Sequence, residues 1–384
     1  MRILLSFLQD QLADPHPIPA YRFWSYYIKN GVAEAGLEWL EVPQLDWAEG
    51  LTFKENDPLL KHWRQMAWER TVKYIKDNRK NIDVFLTYLY PQQIDIAAIA
   101  EIKKLGIPCV NFYCDHIRQF TKVPPEFKVF DLMWVPEFEA LPMYQNAGIS
   151  YINLPMPMWV DHRFRNYEPH ENSVISFIGS SDAIREKILS AAIKNGLPLQ
   201  VRGSGWKDNP AAFIVHRATL LDKFNNQRAF VKKHGLKGLI IYHSQRFASN
   251  AENKLPAENI FEKPDADDYI SITRESRITL GINSVPSFKA LNTSPLAYSR
   301  LRDIEAPMLG ACYLTEYTKG ITELYNLGQE IETYSSADEL IFKCKELMND
   351  AAKRQHLKKQ GQHKALNCHD LPSSLKKLKH KLYN

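Results

Sequence analysis

What most constrains this chain is a rhythm. Short apolar runs recur, several of them followed by a stretch of helical spacing and then a glycine, through residue 154 and again from residue 174. Ile3, Leu4, Leu5 and Phe7 open it as a buried strand. Residues 20–35 read as a helix ending near Gly36, and 37–43 alternate as a second strand. Trp63, Met66, Ala67, Val72 and Ile75 recur at helical spacing within 61–79. Residues 82–90 (IDVFLTYLY) predict a strand, 94–105 a helix closed by Gly106, and 108–113 and 131–135 two more strands. A helix over 139–147 is closed by Gly148, and 151–154 is the last strand of this series. Runs this short are strands rather than helices, and strands alternating with helices predict parallel βαβ units. The proline-rich stretch 155–169 reads as a linker. The pattern then restarts with VISFI at 174–178, the turn Gly179-Ser180-Ser181, a helix over 182–195 and LQVR at 199–202. Gly203 and Gly205 follow, then a helix over 268–275 and a strand over 278–282. The expected fold class is α/β, in two successive halves at 1–165 and 170–350.

The bulk numbers agree. A chain of 384 residues is long enough for two domains. With 45% hydrophobic and 24% charged residues it is neither disordered nor fibrous. No apolar run approaches the roughly 18–20 residues that cross a bilayer. The start MRILLSFLQDQLADP has one basic residue and then acids, a poor secretory signal. Cysteines 109, 114, 312, 344 and 368 form no CxxC pair and no zinc pattern. Reduced thiols and a cytoplasmic location are expected. The net charge of +5 is uneven. Residues 351–384 are expected to form a basic helical tail that packs back on the N-terminal domain. Its lysines are either a solvated face or a peripheral contact with anionic head groups at the inner membrane face. Nucleic acid is not expected, because no binding motif accompanies the charge. Residues 206–260, with six Lys or Arg between 217 and 237, read as an insertion for oligomerisation or acceptor contact.

The densest segment is 302–334, RDIEAPMLGACYLTEYTKGITELYNLGQEIETY. Arg302-x-x-Glu305 opens a helical segment, and Gly310 supplies the left-handed geometry that ends one. Residues 312–315 have strand composition, and the turn 317–320 leads into a helix carrying Glu323. A helix start offers free N–H groups to phosphate, and a carboxylate can hold two vicinal hydroxyls. An ordinary helix–strand–helix and the wall of a sugar-nucleotide pocket are both open on composition alone.

Five pieces carry a resemblance. They are Phe177-Ile178-Gly179 with Arg185 and Glu186 behind it; Val201-Arg202-Gly203-Ser204-Gly205-Trp206; the block 302–310; Thr315 followed by Glu323; and Gly328-Gln329-Glu330 with Tyr334, ahead of Asp338-Glu339-Leu340. Together they resemble glycosyltransferases of the GT-B fold, most closely the CgeB-like branch of the group 1 transferases. Residues 107–116 and 131–135 resemble the family more loosely. The resemblance implies two Rossmann-like domains facing each other across a cleft. It implies a nucleoside-diphosphate sugar held mainly by the second domain, and a glycan, lipid-linked or protein acceptor held by the first. It implies no metal and no other cofactor. By the same resemblance Glu305 holds the donor ribose. Gly320, with the amides of Thr318 and Lys319, approaches the diphosphate, which Arg302 and Arg202 neutralise. Glu323 caps that corner. Gly179, Ser180, Gly203 and Thr315 complete the donor side, and Asn292, beside Thr293 and Ser294, meets sugar hydroxyls. One departure stands out: the second glutamate of retaining members, eight residues before Glu305, is replaced by Ala297. Retention or inversion is thereby left open.

Sugar transfer leaves negative charge on the departing diphosphate, which cations or amide dipoles must stabilise. The closest match to a metal-binding acid pair, Asp265-Ala-Asp267-Asp268, lies just before a helix and reads as an N-terminal acid cluster. An inverting reaction needs a base for the acceptor hydroxyl. Asp10, Asp115 and His116 are the candidates, because ligands of open α/β sheets gather at the carboxyl ends of strands. His162 reads as a hinge residue. The functional expectation is a glycosyltransferase of cell-surface polysaccharide or lipopolysaccharide synthesis. The alternative is a non-catalytic nucleotide- or glycan-binding protein on the same fold, consistent with Ala297.

Overall fold

The structure is a computed structural model that describes residues 1–7, 18–166, 170–207, 254–285 and 295–383. Asp10, Asn292 and most of the 206–260 insertion lie outside the described residues. The chain divides into two compact units: Met1–Asp161 with Ala365–Asn384, and His162–Lys364.

The first unit is built on six parallel strands: β1 (Arg2–Ser6), β2 (Glu38–Glu41), β3 (Val84–Thr87), β4 (Cys109–Phe112), β5 (Leu132–Trp134) and β6 (Tyr151–Ile152). Their order in the sheet is β2-β1-β3-β4-β5-β6. Leu4 pairs with Leu40 on one side and Phe85 on the other, and Phe85 in turn with Cys109. Residues of β3 and β4 are buried on both faces, which is why these runs are largely apolar rather than alternating, with the two buried polar side chains, Thr87 and Asn111, bonded to each other at 2.7 Å. Helices cover the faces. Pro19–Glu34 packs against Leu371–Tyr383, the last helix of the chain. Gly31 makes that approach close: a Cβ there would lie 2.6 Å from Leu371 Cδ2. Leu371, Leu375 and Leu378 are buried, whereas Lys376, Lys377, Lys379 and Lys381 point to solvent.

The expected tail beginning at residue 351 divides differently. The second unit runs on to Lys364, inside the helix Ala351–Cys368. The reason is polar anchoring. Arg354 is buried and holds Glu171 at 2.9 Å, Lys358 is fully buried, and Gln362 donates to the Met308 carbonyl at 3.1 Å.

The second unit carries a second parallel sheet. Its strands are β7 (Ile175–Ile178), β8 (Leu199–Arg202), β9 (Ile260–Phe261) and β10 (Ile278–Gly281), then β13 (Tyr313–Glu316) and β14 (Glu332–Tyr334). A small antiparallel pair, β11 (Ser284–Val285) with β12 (Leu296–Ala297), lies between β10 and β13 in the chain. The sheet order is β14-β13-β10-β7-β8-β9. The chain builds outward from β7 in one direction and then, from β10, in the other, so β7 and β10 flank the reversal. Ligands of open α/β sheets bind outside the carboxyl ends of strands at such a point. Phe177, Leu189, Leu199, Val201, Leu280, Leu314, Leu340 and Leu347 form the core beneath it. Among the described residues no helix is long and apolar enough to cross a membrane.

Candidate functional site

A cavity of about 320 Å³ opens at this reversal. Its floor is the end of β7, Ile178-Gly179-Ser180, together with the end of β10, Gly281-Ile282-Asn283. Its wall is Arg300, Leu301, Arg302 and Glu305.

The floor depends on glycine. Gly203 has φ +133°, and a Cβ there would come within 2.2 Å of the Gly179 carbonyl oxygen. The turns after β7 and β8 therefore touch backbone to backbone. The Gly179 N–H donates to the Arg202 carbonyl at 2.8 Å, and Trp206 Nε1 donates to the Gly179 carbonyl at 2.6 Å. The helix Ala183–Lys194 then starts at Asp182, whose carboxylate accepts the N–H groups of Ile184 and Arg185, both at 3.0 Å.

Three arginines converge on the cavity. Arg185, 7% exposed, donates to the Ser180 carbonyl and hydroxyl at 2.8 and 3.0 Å. Burial pushes its guanidinium below the ordinary value, and Arg300 and Arg302 add to that against the pull of Asp182. Arg300 Nε is buried with no hydrogen-bond partner among the described residues. Arg302 donates to the Ile178 carbonyl and lies over the Tyr269 ring, 5.6 Å from its centroid. Several guanidinium groups held near one another in partial burial repel, and an anion relieves that repulsion.

Acids organise the wall. Arg302–Met308 is a short helix ended, as expected, at Gly310 with φ +77°. Glu305 lines the cavity and accepts the Tyr269 hydroxyl. Asp303 faces the other way and is fully buried. Its carboxylate accepts the Arg300 N–H at 2.7 Å and the hydroxyls of Tyr313, Ser299 and Thr315 at 2.8, 3.0 and 3.0 Å. The Asn283 amide reaches it at 3.3 Å. Burial nonetheless raises its pKa, because five donors only partly offset desolvation. Glu316 completes the frame, accepting the N–H groups of Asn283 and Ser284 at 2.9 and 2.7 Å.

The expected donor-side residues fall into two groups. Gly179, Ser180, Arg302 and Glu305 line the cavity, and Gly203 supports its floor. Arg202 does not line it: its guanidinium sits over Phe261 and bonds Gln200 Oε1 at 3.1 Å, because the side chain leaves β8 toward the edge strand. Thr315 is fully buried in the Asp303 network rather than on the cavity surface. Thr318 caps the six-residue helix Lys319–Leu324, with Gly320 buried and Lys319 and Glu323 exposed; none of these four lines the cavity.

In the first unit His116 is fully buried, with Nε2 2.6 Å from the Tyr144 hydroxyl and Nδ1 3.6 Å from Glu137 Oε2. It sits in an aromatic cage with Tyr113 and Phe127, so it packs inside the unit rather than facing a substrate hydroxyl. Asp115 precedes it and bonds the Gln119 N–H through its main-chain carbonyl at 2.9 Å. Asp265 caps the helix Ala266–Glu275, as expected of an N-terminal acid. Sequence reasoning did not assign Arg300, Asn283, Asp303 or Tyr269 to the site, and took Arg185 only as part of a motif. The one available signal was the repeated charge Arg300-x-Arg302-Asp303 entering a helix whose remaining residues, Glu305 apart, are apolar.

A family model described as glycosyl transferase-like matches residues 185–379. Among solved structures, a glycosyltransferase from Rickettsia africae superposes with a TM-score of 0.56 at 12% identity, over 99% of this chain and 97% of that one. Anabaena HepE, solved in complex with UDP, gives 0.57 at 13% identity, over 100% and 99%. Sucrose-phosphate synthase from Thermosynechococcus elongatus gives 0.56 at 13%, over 100% and 98%. These likenesses show the fold, the two-sheet α/β architecture of GT-B glycosyltransferases. No curated protein matches the chain.

Proposed function

Since the chain belongs to the glycosyl transferase-like family, we propose that it moves a sugar from a nucleoside diphosphate to an acceptor hydroxyl, with the donor held in the second unit. One observation carries this: Arg185, Arg300 and Arg302 meet Glu305 around a single cavity at the strand reversal. The arginines hold the diphosphate, and Glu305 holds the ribose hydroxyls. In the reaction the acceptor oxygen attacks the anomeric carbon, and the hydroxyl proton ends on the departing diphosphate or in solvent. The bond from that carbon to the diphosphate oxygen breaks, and the diphosphate keeps the electron pair. Fixed guanidinium groups stabilise that developing charge without reorganising. The acceptor is a glycan, a lipid-linked sugar or a protein, in synthesis of a cell-surface polysaccharide or lipopolysaccharide. No metal is needed in this scheme, because three cations already face the leaving group. Structural neighbours solved with UDP and UDP-glucose support a nucleotide-sugar donor. The exposed lysines of the last helix support a peripheral contact with anionic lipid.

Thermal-shift screening against UDP-, GDP-, ADP-, CMP- and dTDP-sugars tests the donor, since a ligand that binds only the folded state raises the melting temperature. At least one sugar nucleotide should stabilise the protein, and Glu305→Ala should shrink that shift. A variant that binds normally across the panel sinks the site. Ala297 favours a second reading, in which the protein binds a nucleotide sugar without turning it over. Binding with no transfer or hydrolysis, across donors and acceptors, would establish that one instead.

A further inference from the structure

Tyr269 belongs to no motif singled out in the sequence, and 36 residues of chain separate it from Glu305. It stands on the helix Ala266–Glu275, which Asp265 fixes by accepting the Asp268 N–H at 2.8 Å. Its hydroxyl donates to Glu305 Oε2. Burial, and then the adjacent carboxylate, push the phenol well above its ordinary pKa, so it keeps its proton and the direction of the bond is fixed. The same ring packs under the Arg302 guanidinium. One side chain thus touches both residues that open the wall helix.

A glutamate on a helix rotates freely about its terminal bond unless something holds it. Two vicinal hydroxyls are gripped well only when the carboxylate plane is set in advance, because the ordering cost then falls before binding. We infer that Tyr269 is a positioning residue that tethers one oxygen of Glu305 and so makes the site select ribonucleotides over 2′-deoxyribonucleotides. This rests on reading Glu305 as the ribose-binding acid.

The test compares dissociation constants for ADP, GDP, CDP and UDP with those of their 2′-deoxy counterparts, by calorimetry on the full chain. The tightest-binding pair is used for the variants. Wild type should prefer the ribo form by about 10- to 100-fold, the range of one hydrogen bond to a charged group. Glu305→Ala should bring the ratio to about one. Tyr269→Phe keeps the ring and its stacking, so it should melt near wild type. It should cut the ratio at least about fivefold while leaving 2′-deoxy affinity within about twofold. If Glu305→Ala collapses the ratio and Tyr269→Phe leaves it intact, the inference fails and the proposed site stands. If Tyr269→Phe weakens both forms equally, the tyrosine only supports the fold and the inference fails. If wild type binds none of the probes, or treats ribo and deoxy alike, or if Glu305→Ala keeps the preference, the ribose reading of Glu305 falls and takes the inference with it.

Discussion

The Tyr313 hydroxyl donates to Asp303 Oδ1 at 2.8 Å, joining the first residue of β13 to the first turn of the wall helix in the buried interior. The bond holds apart two chemistries on one short helix, with Asp303 directed into the protein and Glu305 toward the cavity.

Replacing Asp303 with Ala takes the acceptor from the hydroxyls of Tyr313, Thr315 and Ser299 and from the Arg300 N–H, while the Asn283 amide keeps the Glu316 carbonyl at 3.0 Å. Unsatisfied buried polar groups cost about 1–3 kcal/mol each, and relaxation will recover part of that. We expect a loss of about 3 kcal/mol in denaturant unfolding and a nucleotide affinity at least tenfold weaker. Tyr313→Phe removes one donor and should cost about 1 kcal/mol with smaller effects on binding.

Arg300→Ala should weaken nucleoside diphosphate binding by about 10- to 100-fold and leave nucleoside binding unchanged, since a charge-assisted hydrogen bond to phosphate contributes about 1.5–3 kcal/mol. The gap between wild type and variant should narrow in high salt. Arg302→Lys should not restore function, because an ammonium cannot both stack on Tyr269 and reach the Ile178 carbonyl as a planar fork does. Calorimetry at two salt concentrations reads all three outcomes.

Gly203→Ala places a methyl group into the Gly179 carbonyl at a φ that side chains avoid. Strain of this kind costs about 1–3 kcal/mol. The damage should be local to the floor, so a lower melting temperature should come with loss of the nucleotide-induced shift.

Glu41, on β2, is paired with Lys29 at 2.6 Å, and burial raises its pKa to about 7 from a model-compound value near 4.5. The folded pKa lies above the unfolded one, so the unfolded chain binds fewer protons between those values. Stability from this group is complete below about pH 4.5 and is lost as pH rises through about 7. The difference between the two limits amounts to roughly 3 kcal/mol, most of it between pH 5 and 7.5. Urea unfolding at pH 5 and pH 7.5 should show it, and Glu41→Gln should flatten the slope.

Much of the scaffold was legible. Runs such as LQVR, observed as β8 over Leu199–Arg202, are bounded by turn residues, and Gly310, Gly196 and Gly148 end helices where composition placed them. Arg302 and Glu305 were reached through the family resemblance, and the structure sets both on one helical turn of the cavity wall. Arg185 and Arg300 were not joined to each other: 115 positions separate them, and only the parallel pairing of β7 with β10 brings the turns that carry them together. Thr315 misled for a related reason. A strand of an inner parallel sheet is buried on both faces, so a hydroxyl there turns to its neighbours instead of to a ligand. His116 follows a strand end, where ligands gather, yet packing against Tyr113 and Tyr144, with the buried Glu137 beside it, takes the ring inward.

The close seat of Leu371 against Gly31 also orders events in time. The first unit has its sheet complete by residue 152, but the helix that covers Gly31 is made more than two hundred residues later. On a ribosome the second unit emerges in between and can fold as a block. The unit that is started first is therefore finished last. Until then the face at Gly31 that Leu371 covers stays open, and a nascent chain stalled before residue 371 would carry it uncovered.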